Sequence, residues 1–126
     1  MTYEQILSDI KKRVFHPIYF LMGEEPFFID TISDELENNI LDEAERSFNQ
    51  VILYGSDVTA KDIMSQARAF PMMGDYLVVI VKEAQNVKDI ESLSEYLDKL
   101  PSTTILVISY KYKKLDKRKA LAKYID

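Results

Sequence analysis

The sequence predicts an α/β domain, a mostly parallel sheet with helices on both faces, and three observations carry that prediction. Tyr76-Leu77-Val78-Val79-Ile80-Val81 is apolar or aromatic throughout and largely β-branched, which is how a strand buried on both faces reads. Thr103-Thr104-Ile105-Leu106-Val107-Ile108-Ser109 repeats the pattern. Between such runs, apolar residues recur at helical spacing, and strands alternating with helices build a parallel sheet covered on both sides.

The elements follow in order. Thr2-Tyr3-Glu4-Gln5 has the spacing of a capping box, and Ile6, Ile10 and Val14 step at helical intervals, so a first helix is expected from about Tyr3 to Arg13. His16-Pro17 ends it, because the residue before proline is pushed out of the α region. Ile18-Tyr19-Phe20-Leu21-Met22 is the first strand, and Gly23-Glu24-Glu25-Pro26 is the turn after it. A helix starting near Pro26 then carries Phe28, Ile32, Leu36 and Ile40 as its apolar stripe. Asn49 to Tyr54 is the second strand, closed by Gly55-Ser56-Asp57.

Thr59, with Asp62 three residues on, caps a helix whose inward side is expected to carry Ile63, Ala67 and Phe70. The central strand follows, then an amphipathic helix marked by Ile90, Leu93, Leu97 and Leu100 and ended by Pro101. After the fourth strand, a last helix is expected from about Lys117, with Leu121, Tyr124 and Ile125 as its apolar positions. It reaches Asp126 without a glycine or proline stop signal, so the chain reads as part of a longer one.

Composition narrows the function. At 126 residues the chain has the length of one domain, spanning 1–126. No apolar run approaches the ~18 residues that cross a bilayer, and Met1-Thr2-Tyr3-Glu4 lacks the basic start of a signal peptide. A cytoplasmic protein without membrane partners is expected. With no cysteine and one histidine, disulfides, thiolate chemistry and multi-histidine metal sites are excluded. His16 is read as structural.

The net charge of −5 hides an asymmetry: residues 111–126 hold seven basic and two acidic side chains. Lys111, Lys113, Lys114, Lys117, Arg118, Lys119 and Lys123 form either a solvated helix face or a local phosphate-contacting patch.

The strand-turn-helix at 18–40 is where nucleotide-binding α/β folds place a phosphate loop. That loop needs G-x-x-x-x-G-K-[ST]. Between Met22 and Thr31 there is one glycine and no lysine, and Glu24 and Glu25 repel phosphate. At the end of the central strand, where an ATPase holds magnesium with an acid, Lys82 precedes Glu83 and opposes a cation. No cofactor is expected.

The turn Phe70-Pro71-Met72-Met73-Gly74-Asp75 is unusual in carrying two adjacent methionines. Thioether side chains have soft torsions and a polarizable sulfur, so they fit irregular surfaces. Two readings stand: Met72 and Met73 plug the end of the core, or they form an exposed contact site.

Three segments together resemble the bacterial DNA polymerase III delta subunit, the clamp-loader wrench. They are Tyr19 to Ile29, Ala69 to Asp75 with the strand from Leu77 to Lys82, and Tyr110 to Arg118. The resemblance implies an N-terminal domain with the P-loop NTPase, AAA+-like fold but no functional phosphate loop and no ATPase activity, the helical lid and collar domains lying outside these residues. It implies that Met72 and Met73, flanked by Phe70 and Pro71, enter a hydrophobic pocket of the sliding clamp (the beta subunit). The other implied partners are the gamma/tau and delta prime loader subunits and primed DNA, with Lys113, Lys114, Lys117 and Arg118 as DNA-contacting candidates.

One alternative class is a receiver-like phosphoacceptor signalling domain, also a parallel α/β fold of this length. In it Glu24 and Glu25 hold magnesium and Asp57 accepts the phosphoryl group. A nucleotide-binding enzyme is disfavoured by the missing glycine-lysine motif.

Overall fold

The computed structural model describes residues 2–113, 115–116 and 119–121. Its elements run α1 (Tyr3–Lys11), β1 (Ile18–Gly23), α2 (Pro26–Asn39), α3 (Glu43–Asn49), β2 (Gln50–Tyr54), α4 (Ala60–Ala67), β3 (Leu77–Lys82) and β4 (Thr104–Lys111). The four strands form one sheet in the order β1-β4-β3-β2, and every neighbouring pair is parallel.

Each face of the sheet has its own core, as the period-two alternation of strand side chains requires. On one face Val78, Ile80, Ile105, Val107, Tyr19 and Leu21 pack under Ile6 and Ile10 of α1 and Ile29, Ile32 and Leu36 of α2. On the other, Leu77, Val79, Val81, Leu106 and Ile108 pack under Ile63, Met64 and Ala67 of α4 and under Ile90, Leu93 and Leu97. β3 and β4 are thus buried on both sides, which is why they read as unbroken apolar runs.

The chain steps from β2 to β3 to β4 in one direction, while β1 lies on the far side of β4. Right-handed crossovers in opposite directions put their helices on opposite faces. Where the direction reverses, between β1 and β4, folds of this kind place their crevice, at the C-terminal ends of the strands.

Several expectations are corrected. α1 stops at Lys11, because Arg13 takes a left-handed conformation (φ 58°), and Val14 is exposed rather than part of the stripe. In α2 the buried line is Ile29, Ile32, Ser33 and Leu36; Phe28 lies outside it, edge-on to Tyr3 with ring centroids 4.9 Å apart. α3 was not expected. It is capped by Asp42, whose carboxylate accepts from the Glu45 N–H at 2.8 Å, and it moves the start of the second strand to Gln50.

α4 ends at Ala67, so Phe70 lies beyond the helix and is exposed instead of facing inward. Between β3 and β4 there is no α-helix. Ile90–Glu95 and Leu97–Lys99 are 3-10 helical, with three-residue bonds from Tyr96 N–H to Leu93 and from Lys99 N–H to Tyr96. Apolar residues three apart satisfy this tighter winding as well as the α-helix. Of the expected last helix, Ala120 and Leu121 are helical and Leu121 is buried; Tyr124 and Ile125 lie outside the described residues.

Candidate protein-binding site

The Met-Met turn sits at the N-terminal end of β3, where α4 hands the chain back to the sheet. Thr104, buried at the start of β4, donates its hydroxyl to the Ala67 carbonyl at 2.7 Å and fixes the end of α4. On the far side of the turn, Leu77 N–H donates to the Thr103 carbonyl at 2.9 Å and starts the β3 ladder. Between these anchors residues 68–76 belong to neither helix nor strand.

The side chains of Phe70, Met72 and Met73 point outward. Phe70 is 72% exposed, Met72 64% and Met73 98%, and Pro71 is half-buried. Of the two readings of the methionines, core packing is therefore excluded: they are an exposed apolar cluster, which is where contact surfaces are found.

The turn is held from behind. Asn49, the last residue of α3, is fully buried, and its Oδ1 accepts from the Met72 N–H at 2.7 Å. Its Nδ2 donates to the Met72 carbonyl at 2.9 Å. Met73 then adopts φ 58°, a left-handed conformation that costs a side-chain-bearing residue about 1 kcal/mol. A Cβ on Gly74 would come within 2.6 Å of Glu45 Oε2 and 2.9 Å of Asn49 Nδ2. A side chain at position 74 would therefore press on this support, displacing the Glu45 carboxylate and crowding the Asn49 amide.

The crevice between β1 and β4 lies at the opposite end of the sheet. β3 is six residues long, so about 20 Å of strand separates the two ends. Lys111 fills the crevice: its side chain is 11% exposed, and its Nζ lies 2.7 Å from Asp30 Oδ1 and 2.6 Å from Glu83 Oε2. Gln85 Nε2 donates to Glu83 Oε1 at 2.9 Å, and Lys82 pairs with Glu37 at 3.0 Å. What remains is a cavity of about 60 Å³ beside Ser33 and Ser109, room for water rather than for a nucleotide.

Electrostatics match that geometry. The Lys111 ammonium beside Glu83 holds its carboxyl below the usual range, against an opposing push from burial and with help from Gln85. Burial alone pulls the Lys111 pKa down, but Asp30 and Glu83 together raise it above its ordinary value. Both groups are thus committed as charged partners of each other.

The remaining candidate residues divide. Lys111 is removed from the expected phosphate-contacting patch, because its charge is spent internally. Lys113 and Lys119 are exposed, whereas Lys114, Lys117, Arg118 and Lys123 lie outside the described residues. The phosphoacceptor arrangement is contradicted by strand order. Asp57 follows edge strand β2 and Glu24 and Glu25 follow the opposite edge strand β1, so three strand spacings, about 14 Å, part the acids. Among the described residues no three His, Asp or Glu side chains gather as a metal site, and no helix is long and apolar enough to cross a membrane.

Sequence reasoning missed Asn49 and the Lys111 cluster. Asn49 has the side chain for bonding backbone, but its partner is 23 residues away, so no local motif signals it.

Residues 19–126 match the sequence model of the family described as DNA polymerase III, delta subunit. The chain belongs to that family. It is 27% identical over 128 residues to DNA polymerase III subunit delta of Bacillus subtilis (strain 168), across 94% of this chain and 37% of the relative. This delta-family chain thus spans a little over a third of that relative's length. The solved Bacillus subtilis DNA clamp loader delta protein is similar in fold, with a TM-score of 0.84 at 24% identity over 98% of this chain and 40% of that one.

Proposed function

We propose that this chain is the clamp-contacting domain of a non-catalytic clamp-loader subunit, and that Met72 and Met73, with Phe70 and Pro71 beside them, enter a hydrophobic pocket of the sliding clamp. The observation that carries the reading is the exposure of two adjacent methionines on a turn whose backbone is fixed by a buried asparagine. Apolar side chains held in water are the form a hot spot takes before its partner arrives.

The mechanism is mechanical. Full burial of a methionine side chain contributes on the order of 1.5 to 3 kcal/mol. Spent on a clamp conformation incompatible with one closed ring interface, that energy shifts the ring toward an open state. The opened ring is then retained for loading onto primed DNA during replication, with the gamma/tau and delta prime subunits as assembly partners and ATP hydrolysis supplied by other subunits of the loader.

The domain itself is read as an AAA+-like P-loop fold that has lost its phosphate loop. Support comes from the strand order β1-β4-β3-β2, from the missing glycine-lysine motif, and from the crevice closed by Lys111. Lys113, Lys114, Lys117 and Arg118 are proposed to approach DNA in the assembled loader. Binding to primed DNA that weakens with salt supports this role, and salt-independent failure to bind removes it.

The deciding experiment is surface plasmon resonance against the cognate clamp, with wild type beside the Met72→Ala, Met73→Ala double variant. Micromolar or tighter binding that disappears in a folded double variant is expected. A double variant that binds like wild type overturns the reading.

A further inference from the structure

We infer that Asn49 is the positioning residue of the Met72-Met73 contact: its buried carboxamide takes the place of a neighbouring strand for Met72 and presents the pair in one conformation. The inference rests on the clamp-contact reading above. Met73 has almost no packing of its own, and residues 70–76 have no regular ladder, so the turn's shape must be set from outside its own side chains. Asn49 bonds both polar groups of the Met72 backbone, at 2.7 Å and 2.9 Å.

A primary amide does both at once at neutral pH. It offers a donor and an acceptor on one planar group, whereas an ionised carboxylate only accepts and an aliphatic side chain does neither. The amide is also committed, because a buried polar group without partners is costly, and Asn49 is held on a fixed base between α3 and β2. The left-handed Met73 follows directly after the clamped residue. The physical consequence is preorganisation: a turn already ordered loses less freedom when the partner binds.

The predicted role is tested by titrating the 126-residue chain with its cognate clamp and recording thermal melts of every variant. Asn49→Ala is expected to bind about tenfold more weakly while folded, equivalent to about 1.4 kcal/mol. In a Met73→Ala background the same substitution is expected to cost clearly less, because Asn49 acts through the methionines. Asn49→Asp, compared with wild type at each pH, is expected to be weak near neutrality and to recover toward acid pH, where the protonated carboxyl regains its donor.

A purely structural Asn49 lowers the melting temperature but leaves the affinity of the folded protein unchanged, or costs the same in both backgrounds; either result overturns the inference. If the Asn49 variants do not fold, Gly74→Ala strikes the same amide from the exposed side. Weakened binding at an unchanged melting temperature then supports the inference, and wild-type affinity overturns it. Wild-type affinity in the Met72→Ala, Met73→Ala variant instead removes the clamp-contact reading itself.

Discussion

Lys111 at the end of β4 and Glu83 just past the end of β3 meet at 2.6 Å, and the same ammonium reaches Asp30 of α2 at 2.7 Å. One cation thereby ties three elements together at the C-terminal ends of the strands, where open α/β sheets generally place their ligands. The crevice is closed by side chains that belong to the fold, so these ion pairs contribute to its stability.

Lys111→Met tests this directly. The substitution keeps the apolar stem but leaves two carboxylates facing each other without their cation. Hydrogen bonds to charged groups contribute about 1.5 to 3 kcal/mol. Both acids are partly solvated, with side chains 53% and 39% exposed, and water screens such pairs. The expected loss is therefore about 1 to 2 kcal/mol, measured as a lowered urea midpoint at an unchanged slope.

The same cluster predicts how stability varies with pH. Glu83 in the folded chain titrates below its ordinary value of 4.5. Its contribution is therefore complete above that value and is lost as pH falls through the depressed one. Lys111 titrates above its ordinary 10.5, so its contribution is complete below that value and is lost as pH rises through the raised one. Across the neutral range neither changes. Urea midpoints from about pH 7 down to about pH 3 should converge for wild type and Lys111→Met; a constant gap between them refutes the assignment.

Two adjacent threonines separate a bonded hydroxyl from an orphaned one. Thr104 donates to the Ala67 carbonyl at 2.7 Å in full burial, whereas the buried Thr103 hydroxyl has no partner among the described residues. Thr104→Val should cost about 1 to 2 kcal/mol, because the Ala67 carbonyl loses its donor. Thr103→Val should be neutral or stabilising by up to about 1 kcal/mol, since it removes an unsatisfied group. Paired chemical denaturation of the two variants checks the difference in sign.

The strands were legible because β3 and β4 are buried on both faces, which leaves no room for polar residues in Leu77 to Val81 or Ile105 to Ile108. The Thr2 and Thr59 capping boxes were legible because their partners lie three residues on. Ile90, Leu93 and Leu97 were correctly marked as buried, but their spacing serves a 3-10 turn as readily as an α-helix. Phe70 misled for a related reason: it continues the apolar step of α4 past Arg68, where the helix has already ended. Asn49 and Lys111 could not be read at all, because each acts on residues remote in sequence. For Met72 and Met73, apolar character was legible but direction was not, since a core plug and an exposed contact use the same side chains.

Gly55 carries the last prediction. It follows β2 and packs against the backbone after β3, where an added Cβ would come within 2.0 Å of the Glu83 carbonyl oxygen and 2.9 Å of its carbon. Neither neighbour is a side-chain end that can swing away. Glu83 is itself in a left-handed conformation, φ 54°, and its carbonyl accepts from Asn86 N–H at 3.0 Å, so the backbone on that side is already constrained. Overpacking of this kind costs about 1 to 3 kcal/mol and at times more; with backbone as the obstacle, Gly55→Ala should fall at the upper end, about 3 kcal/mol. Gly23→Ala is the control. Its φ of 146° carries strain, but among the described residues nothing lies within 4 Å of the added Cβ. A Gly55→Ala chain as stable as wild type would contradict the close approach of the two strand ends on which the Glu83 and Lys111 geometry depends.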